Sequence, residues 1–179
     1  MSSDPHLDAG RIRLLLTELG ERLSARGIEG RLYLVGGAAM AIAYLRDRVT
    51  RDVDAVFEPK SEIYEEAARM AADHELASDW LNDAVKGLLP DRHPPIEGIG
   101  TFSAPGIHVG VASAEYLFAM KAQAARIETD GEDLRTLADV LGLESSAEAT
   151  DLVERFYAPH HLRPVTRLLL EEILDGPTR

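Results

Sequence analysis

Residues 33–57, YLVGGAAMAIAYLRDRVTRDVDAVF, carry the pattern that decides the fold. The β-branched and aromatic run at residues 31–35 stops at Gly36 and Gly37, as a buried strand would. Residues 38–45 follow with good helix formers and no helix breaker. This order predicts a strand, a glycine turn and a helix that has the glycines at its N-terminus.

Asp52 and Asp54 open a second strand-like run, residues 52–57, in which polar and apolar residues alternate at the start. Residues i and i+2 of a strand share a face, so the two carboxylates project together, with alpha carbons about 6.5 Å apart. Oxygen ligands of this kind suit hard cations such as Mg²⁺. The N–H groups and the dipole at the preceding helix N-terminus favour a phosphate. Together these features predict a site for a cation and a phosphate.

A purely structural role is the alternative for the same residues. A pair of acids one residue apart carries little weight in this acidic chain, because residues 73–75, 128–130 and 130–132 have it too. Gly36 and Gly37 would then be only a strand-to-helix turn, and the aspartates would be solvated residues at a strand end. The value of the motif lies in the order of its parts.

That order resembles a known family signature, which is carried by Gly36, Gly37, Thr50, Asp52 and Asp54. The signature is that of the polymerase-beta-type nucleotidyltransferase superfamily. Within it, the chain is similar to small bacterial proteins akin to the abortive-infection and toxin–antitoxin nucleotidyltransferases. Residues 113–141 resemble the second half of the pattern, and Asn82 in DWLND fits an uncharacterised branch of the group.

The resemblance implies roles for individual residues. The metal ligands would be Asp52 and Asp54, which hold Mg²⁺ or Mn²⁺, and Lys121 would join them as a catalytic residue that neutralises phosphate charge. The residues implied to contact or surround the nucleotide are Gly36, Gly37, Thr50, Arg126, Asp130 and Asp133.

Simpler roles are open for the second half of the pattern. Lys121 lies near an apolar helix face, where a flexible cation suits a polyphosphate but would also fit as a lysine extending to solvent. Arg126, Asp130 and Asp133 would equally form a local salt-bridge cluster at a helix junction. On the functional interpretation, Lys121→Ala is expected to weaken triphosphate affinity without disturbing the fold.

The chain departs from the family at the third carboxylate, which a later strand commonly supplies. The candidate strand, residues 107–111, offers only His108 and Gly110 on its polar face, and no acid occurs between Glu97 and Glu115. Either Glu97, Asp130 or Asp133 substitutes in space, or His108 acts as the base, or the protein transfers nothing.

Charge is distributed unevenly along the chain. The net charge is −12, yet residues 1–51 hold eight basic and six acidic side chains. Arg46, Arg48 and Arg51 flank the predicted site, and arginine suits phosphate. They suffice for a nucleotide or one RNA end but not for broad duplex binding. Alternatively, they are solvated and complement a helix dipole.

Composition sets the outer limits. The chain has 179 residues, 45% of them hydrophobic, and no cysteine, so disulfides and thiolate metal sites are excluded and a reducing cytoplasm is the expected compartment. The start, MSSDPHLDAG, lacks the basic flank and apolar core of a signal peptide. No apolar run approaches the roughly 20 residues that span a bilayer, so no membrane association is expected.

The predicted fold is α/β (α+β): a nucleotidyltransferase fold with a small mixed β-sheet flanked by helices and a helical C-terminal extension. Residues 1–142 form the predicted domain, and residues 143–179 pack on it as a helical appendage. The predicted helices include residues 8–27, residues 61–74 capped by Ser61, a helix opened by Asp130 or Asp133, and residues 145–157 and 164–174. Residues 79–89 are predicted to form a short helix or loop.

The resulting hypothesis is an Mg²⁺-dependent nucleotidyltransferase that moves a nucleoside monophosphate from a triphosphate to a hydroxyl. The acceptor would be a transfer-RNA 3′ end, another RNA end, a protein or a small molecule. The partner implied by the resemblance is a cognate antitoxin or toxin protein. The alternative is a catalytically reduced protein of the same fold that binds nucleotides or other proteins.

Overall fold

The computed structural model describes residues 6–45, 47–84, 87, 89–90 and 102–176. These residues form two compact units: residues 6–84 with 102–112, which carry a sheet, and residues 113–176 with 87, 89 and 90. The predicted division into a nucleotidyltransferase-like domain, residues 1–142, and a helical appendage, residues 143–179, stays a prediction. Two residues of the sequence analysis lie outside the described residues: Arg46, which was predicted to flank the site, and Glu97, a candidate for the third carboxylate.

The first unit contains a mixed sheet. Its described elements are α1 (Ala9–Ala25), β1 (Gly30–Leu34), α2 (Gly36–Ala43), β2 (Val53–Glu58), α3 (Lys60–Asp73), β3 (Leu81–Asn82), β4 (Phe102–Ala104) and β5 (Ile107–Val111). The strands lie in the order β3-β2-β1-β5-β4. β1 runs antiparallel to β2 and parallel to β5, β2 runs parallel to β3, and β4 runs antiparallel to β5. The predicted α+β fold, a small mixed sheet flanked by helices, is confirmed.

The two faces of β2 differ in burial, and this difference positions the site. Val53, Ala55 and Phe57 are at most 1% exposed, whereas the intervening Asp54 and Val56 are partly exposed. α1 contacts β5 and α3 contacts β2. Because side chains alternate along a strand, the apolar residues build the core and Asp54 points away from them.

Helix α1 lies within the predicted residues 8–27 and buries one apolar stripe. The buried residues are Ile12, Leu15, Leu16, Leu19, Gly20 and Leu23. Asp8 caps the helix by accepting a 2.7 Å hydrogen bond from the Arg11 N–H. The chain turns away at Gly27, which has a φ of +69°.

Three predicted element boundaries are wrong. Ser61 does not cap α3, because the extended backbone of Pro59 starts the helix at Lys60. Neither Asp130 nor Asp133 opens its helix, which begins at Ile127, directly after Ala125 ends the preceding helix in the left-handed conformation. Residues 79–89 contain strand β3, because Leu81–Asn82 pairs with the edge of β2.

The second unit is built from α4 (Ala114–Ala124), α5 (Ile127–Leu141), α6 (Ser146–Phe156) and α7 (Pro164–Leu170). Ser113 and Ser145 cap α4 and α6 through their side chains, and Gly142 ends α5 with a φ of +65°. The two predicted C-terminal helices are therefore present, although α7 gives way to a wider turn at Glu171–Asp175. None of the described helices is long and apolar enough to cross a membrane.

Ion pairs join α1 to the end of α3. Glu18 accepts hydrogen bonds of 2.6 Å from Arg22 and 2.7 Å from His74, and Arg22 also lies 2.7 Å from Asp73. Burial acts to raise the pKa of the Glu18 carboxyl, but the bonds from Arg22 and His74 outweigh it and hold that pKa below its ordinary value.

We predict that this cluster makes stability depend on pH in the acid range. A carboxyl with a lowered folded-state pKa stabilises the fold above its unfolded pKa, about 4.3, and loses that contribution as the pH falls through the folded value. Glu18→Gln should therefore lower the Tm near neutral pH, and the gap from wild type should shrink below about pH 4. Thermal melts across this range, with the exposed Glu21→Gln as control, measure the gap. A constant gap would contradict the prediction.

Candidate functional site

The two glycines bring the first turn of α2 against two polar side chains. A Cβ built on Gly36 would lie 2.7 Å from Oδ2 of Asp54, and one on Gly37 would lie 2.6 Å from Oγ1 of Thr50. Both distances are shorter than a real Cβ tolerates. Gly36 also has a φ of +60°, which favours glycine. The glycines therefore allow a contact between backbone and side chains that another residue would block.

Thr50 is held at this position by its backbone. It exchanges hydrogen bonds of 2.8 and 2.9 Å with Leu7, which is 1% exposed. Arg51 follows it and is exposed, and Arg48 is partly buried. Arg51 therefore precedes Asp52 in the chain as an exposed basic residue.

Asp52 and Asp54 lie beside each other at the start of β2. Asp52 directly precedes β2 and Asp54 is the second residue of the strand, and both are partly exposed. Oδ2 of Asp52 accepts a long hydrogen bond of 3.4 Å from the Asn82 amide. Five predicted residues of the first unit, Gly36, Gly37, Thr50, Asp52 and Asp54, are therefore neighbours in the structure.

The donor set fits a cation that is shared with a ligand. Mg²⁺ is usually held by one or two carboxylates together with water and substrate phosphates. Among the described residues, no group of three or more histidine, cysteine, aspartate or glutamate side chains could hold a metal ion by itself. Asp52 and Asp54, the latter in close contact with Gly36, would be the two carboxylates of such a site.

The strand register argues against His108 as the missing base. His108 pairs with Arg31, and Arg31 pairs with Glu58. Glu58 lies four residues from Asp54, about 13 Å along β2 at roughly 3.3 Å per residue. The His108 ring also bonds Ser103 at 2.9 Å. His108 is therefore level with the C-terminal end of β2, whereas Asp54 lies near the N-terminal end of that strand.

The neighbouring positions of β5 carry no acid either. Gly110 pairs with Tyr33, and Tyr33 pairs with Val56. Val56 is the next residue after Asp54 on the same face of β2. Ala112 follows the strand and is fully buried. The place where a third carboxylate would stand on this strand is thus taken by residues without a polar side chain.

The residues predicted from the second half of the pattern form a separate cluster inside the second unit. The Lys121 ammonium lies 2.7 Å from Oδ1 of Asp130 and 2.7 Å from Oδ2 of Asp133. The three residues are 8%, 9% and 1% exposed. Arg126, by contrast, is exposed at the start of α5. The ion pairs are those of a local salt-bridge cluster, and a role of these residues at a nucleotide stays a prediction.

The sequence predicted only a short helix or loop over residues 79–89, and it distinguished Asn82 only through the family resemblance. A two-residue strand has no periodicity to detect. The available signal was compositional, since Asn82 is the one asparagine of the chain.

No protein-family model, curated protein or solved structure matches this chain. The resemblance to nucleotidyltransferases therefore stays an expectation. What the site can do follows from the contacts of the glycine turn and the two aspartates.

We predict that Gly36→Ala will damage both the fold and the cation site. A left-handed alanine costs about 1–2 kcal/mol, and the added methyl meets the Asp54 carboxylate, which adds about 1–3 kcal/mol or displaces that group. Gly27→Ala is a matched control, because Gly27 has a φ of +69° but nothing within 4 Å of an added Cβ. Denaturant unfolding and Mn²⁺ titration compare the two. Equal losses of stability with unchanged Mn²⁺ affinity would contradict the prediction.

Proposed function

We propose that the chain is an Mg²⁺-dependent nucleotidyltransferase. The observation that carries the proposal is the close approach of Asp54 to Gly36 at the start of α2, with Asp52 two positions earlier in the chain, directly before β2. Carboxylates beside a helix N-terminus offer a cation site and a phosphate site side by side.

Different groups of the chain would bind the phosphates and the cation. The N–H groups of Gly36, Gly37 and Ala38 precede the first helical bond of α2, which Ala39 donates to Val35 at 3.3 Å. Of these three residues, Gly36 and Gly37 are partly exposed, so their N–H groups would be the ones to meet phosphate oxygens, whereas Ala38 is fully buried. Asp52 and Asp54 would hold Mg²⁺, which when bound neutralises charge on the triphosphate and on the leaving pyrophosphate.

The reaction follows from this placement. The acceptor oxygen forms a bond to the α-phosphorus, the bond to the bridging oxygen of pyrophosphate breaks, and the hydroxyl proton passes to solvent or to a base. The amides at the start of α2 would face the charge on the α-phosphate, and a cation held by Asp52 and Asp54 would neutralise part of that charge, so catalysis would depend mostly on positioning and electrostatics. The acceptor is a transfer-RNA 3′ end, another RNA end, a protein or a small molecule, and the protein partner is a cognate antitoxin or toxin.

A nucleotide-binding protein that transfers nothing is the second candidate. The strand register favours it, because Gly110 of β5 and Ala112, which directly follows β5, occupy the positions on that side of β1 closest to the site. Without a group that accepts the hydroxyl proton, binding would persist while transfer would be slow.

One experiment separates the two. The purified chain is incubated with each α-labelled nucleoside triphosphate, with and without Mg²⁺, in the presence of bulk RNA. Bound nucleotide, released pyrophosphate and the molecule that carries the label are measured. Label on RNA or protein supports the enzyme, and Mg²⁺-dependent binding without pyrophosphate release supports the binding protein. Absence of binding would reject both.

A further inference from the structure

We infer that Asn82 is a positioning residue for the carboxylate pair, and that the segment Trp80 to Asp83 is built to present it. The inference rests on the proposed function of the site. Asn82 would fix one oxygen of Asp52 and so leave the other oxygen turned toward the cation.

The hydrogen bonds of Asn82 define the direction of its amide group. Its Oδ1 accepts a 3.0 Å hydrogen bond from the Ala84 N–H. Its Nδ2 donates to the Asp79 carbonyl at 3.3 Å and to Oδ2 of Asp52 at 3.4 Å. Since the backbone occupies the amide oxygen, the NH₂ side faces the carboxylate. This is the side that holds an anion and cannot bind a metal.

The sheet register puts Asn82 at the edge of the site. Asn82 pairs with Asp54 across β3 and β2. The pairing begins one step earlier, where the Val53 N–H donates to the Trp80 carbonyl at 2.6 Å. Cross-strand neighbours share a face of the sheet. Asn82 therefore borders the carboxylates on one side, and Gly36 borders Asp54 where α2 begins.

Flanking residues anchor this short strand to α3. The Trp80 indole, 1% exposed, donates to the Ala67 carbonyl at 2.9 Å. Asp83 accepts a 3.0 Å bond from Lys60 and a 2.6 Å bond from the Tyr64 hydroxyl. A strand of two residues has little stability of its own, so these contacts are what keep the amide in place.

The chemistry explains why an amide suits this position. A ligating carboxylate needs a hydrogen-bond partner that fixes its orientation, and loss of such a partner typically lowers metal affinity about 10–100-fold. Asp52 lies directly before β2, so the strand pairing that constrains Asp54 does not include Asp52. An NH₂ donor adds this constraint without adding negative charge.

The wild-type chain allows a direct test by NMR. It contains one asparagine and one glutamine, so only two side-chain NH₂ pairs exist, and Asn82→Ala assigns them. Paramagnetic Mn²⁺ is added with a non-hydrolysable nucleoside triphosphate. The Asn82 pair should broaden, and the broadening should disappear in Asp54→Ala. If calorimetry shows that Mn²⁺ binds but the Asn82 NH₂ signals do not broaden, the inference about Asn82 is overturned and the proposed function is not. No Mn²⁺ binding by the wild type would overturn the proposed function as well.

Two variants test the role itself. Asn82→Ala should weaken Mn²⁺ binding about tenfold, and Ser78→Ala, at an exposed position just before the segment, should not. Asn82→Asp places a second negative charge against Asp52, so Mn²⁺ should raise its Tm by more than it raises that of the wild type. Equal Mn²⁺-induced shifts for Asn82→Asp and wild type, or unchanged affinity in Asn82→Ala, would reduce Asn82 to a structural residue.

Discussion

Asp54→Asn is expected to abolish Mg²⁺-dependent binding of nucleoside triphosphate and to lower transfer by at least about 10³-fold. The substitution keeps the shape of the side chain and the contact with Gly36 but removes the charge that holds the cation. Asp54 is partly exposed, so the neutral amide should leave the fold intact. Binding is measured by calorimetry with and without Mg²⁺, and transfer by the release of pyrophosphate.

Glu58→Gln provides the control for this prediction. Glu58 is exposed and lies on the same face of the same strand, four residues from Asp54. The change in charge is identical, so a general electrostatic effect would appear in both variants. Mg²⁺-dependent binding that survives in Asp54→Asn would move the site away from the glycine turn.

The sequence predicted those parts of the fold whose burial follows a regular period. The apolar stripe of α1 repeats every three or four residues, and it is buried as expected. Strand β5 has the predicted bounds because Ile107, Val109 and Val111 alternate with His108 and Gly110. The alternation in β2 likewise separated the core residues from Asp54.

Other features depend on contacts that the local sequence does not contain. Strand β3 exists because its two residues pair with β2, and the start of α3 follows from the backbone of Pro59. The contact of Gly37 with Thr50 requires the pairing of Thr50 with Leu7, which lies 43 residues earlier in the chain. Tertiary context of this kind fixes the details of a site after local patterns have fixed its elements.

The ion pairs of Lys121 were the least predictable contacts of the second unit. The helical pattern placed Lys121 beside an apolar face but gave no sign that two carboxylates from the next helix would meet it. Asp130 and Asp133 are three residues apart, so they share a face of α5. That face and the Lys121 ammonium come together only through the packing of α4 on α5.

Lys121→Ala is expected to destabilise the protein by at least about 3–5 kcal/mol. The variant leaves Asp130 and Asp133 buried without their cation, and Asp133 is only 1% exposed. This loss is a large part of the roughly 5–15 kcal/mol that stabilises a typical domain. The structure therefore changes the earlier expectation that this substitution spares the fold. Denaturant unfolding measures the loss, and Lys60→Ala, which breaks a more exposed pair with Asp83, should cost no more than about 1 kcal/mol.

A triple variant separates the structural role of Lys121 from a role at the nucleotide. Lys121→Met combined with Asp130→Asn and Asp133→Asn removes the charges together, so most of the lost stability should return, because a buried ion pair is often replaceable by neutral groups. If the triple variant folds but no longer binds triphosphate, Lys121 acts on the ligand as the resemblance implies. If it folds and binds normally, the cluster serves only to join α4 to α5. A triple variant as unstable as Lys121→Ala would contradict the electrostatic explanation of the loss.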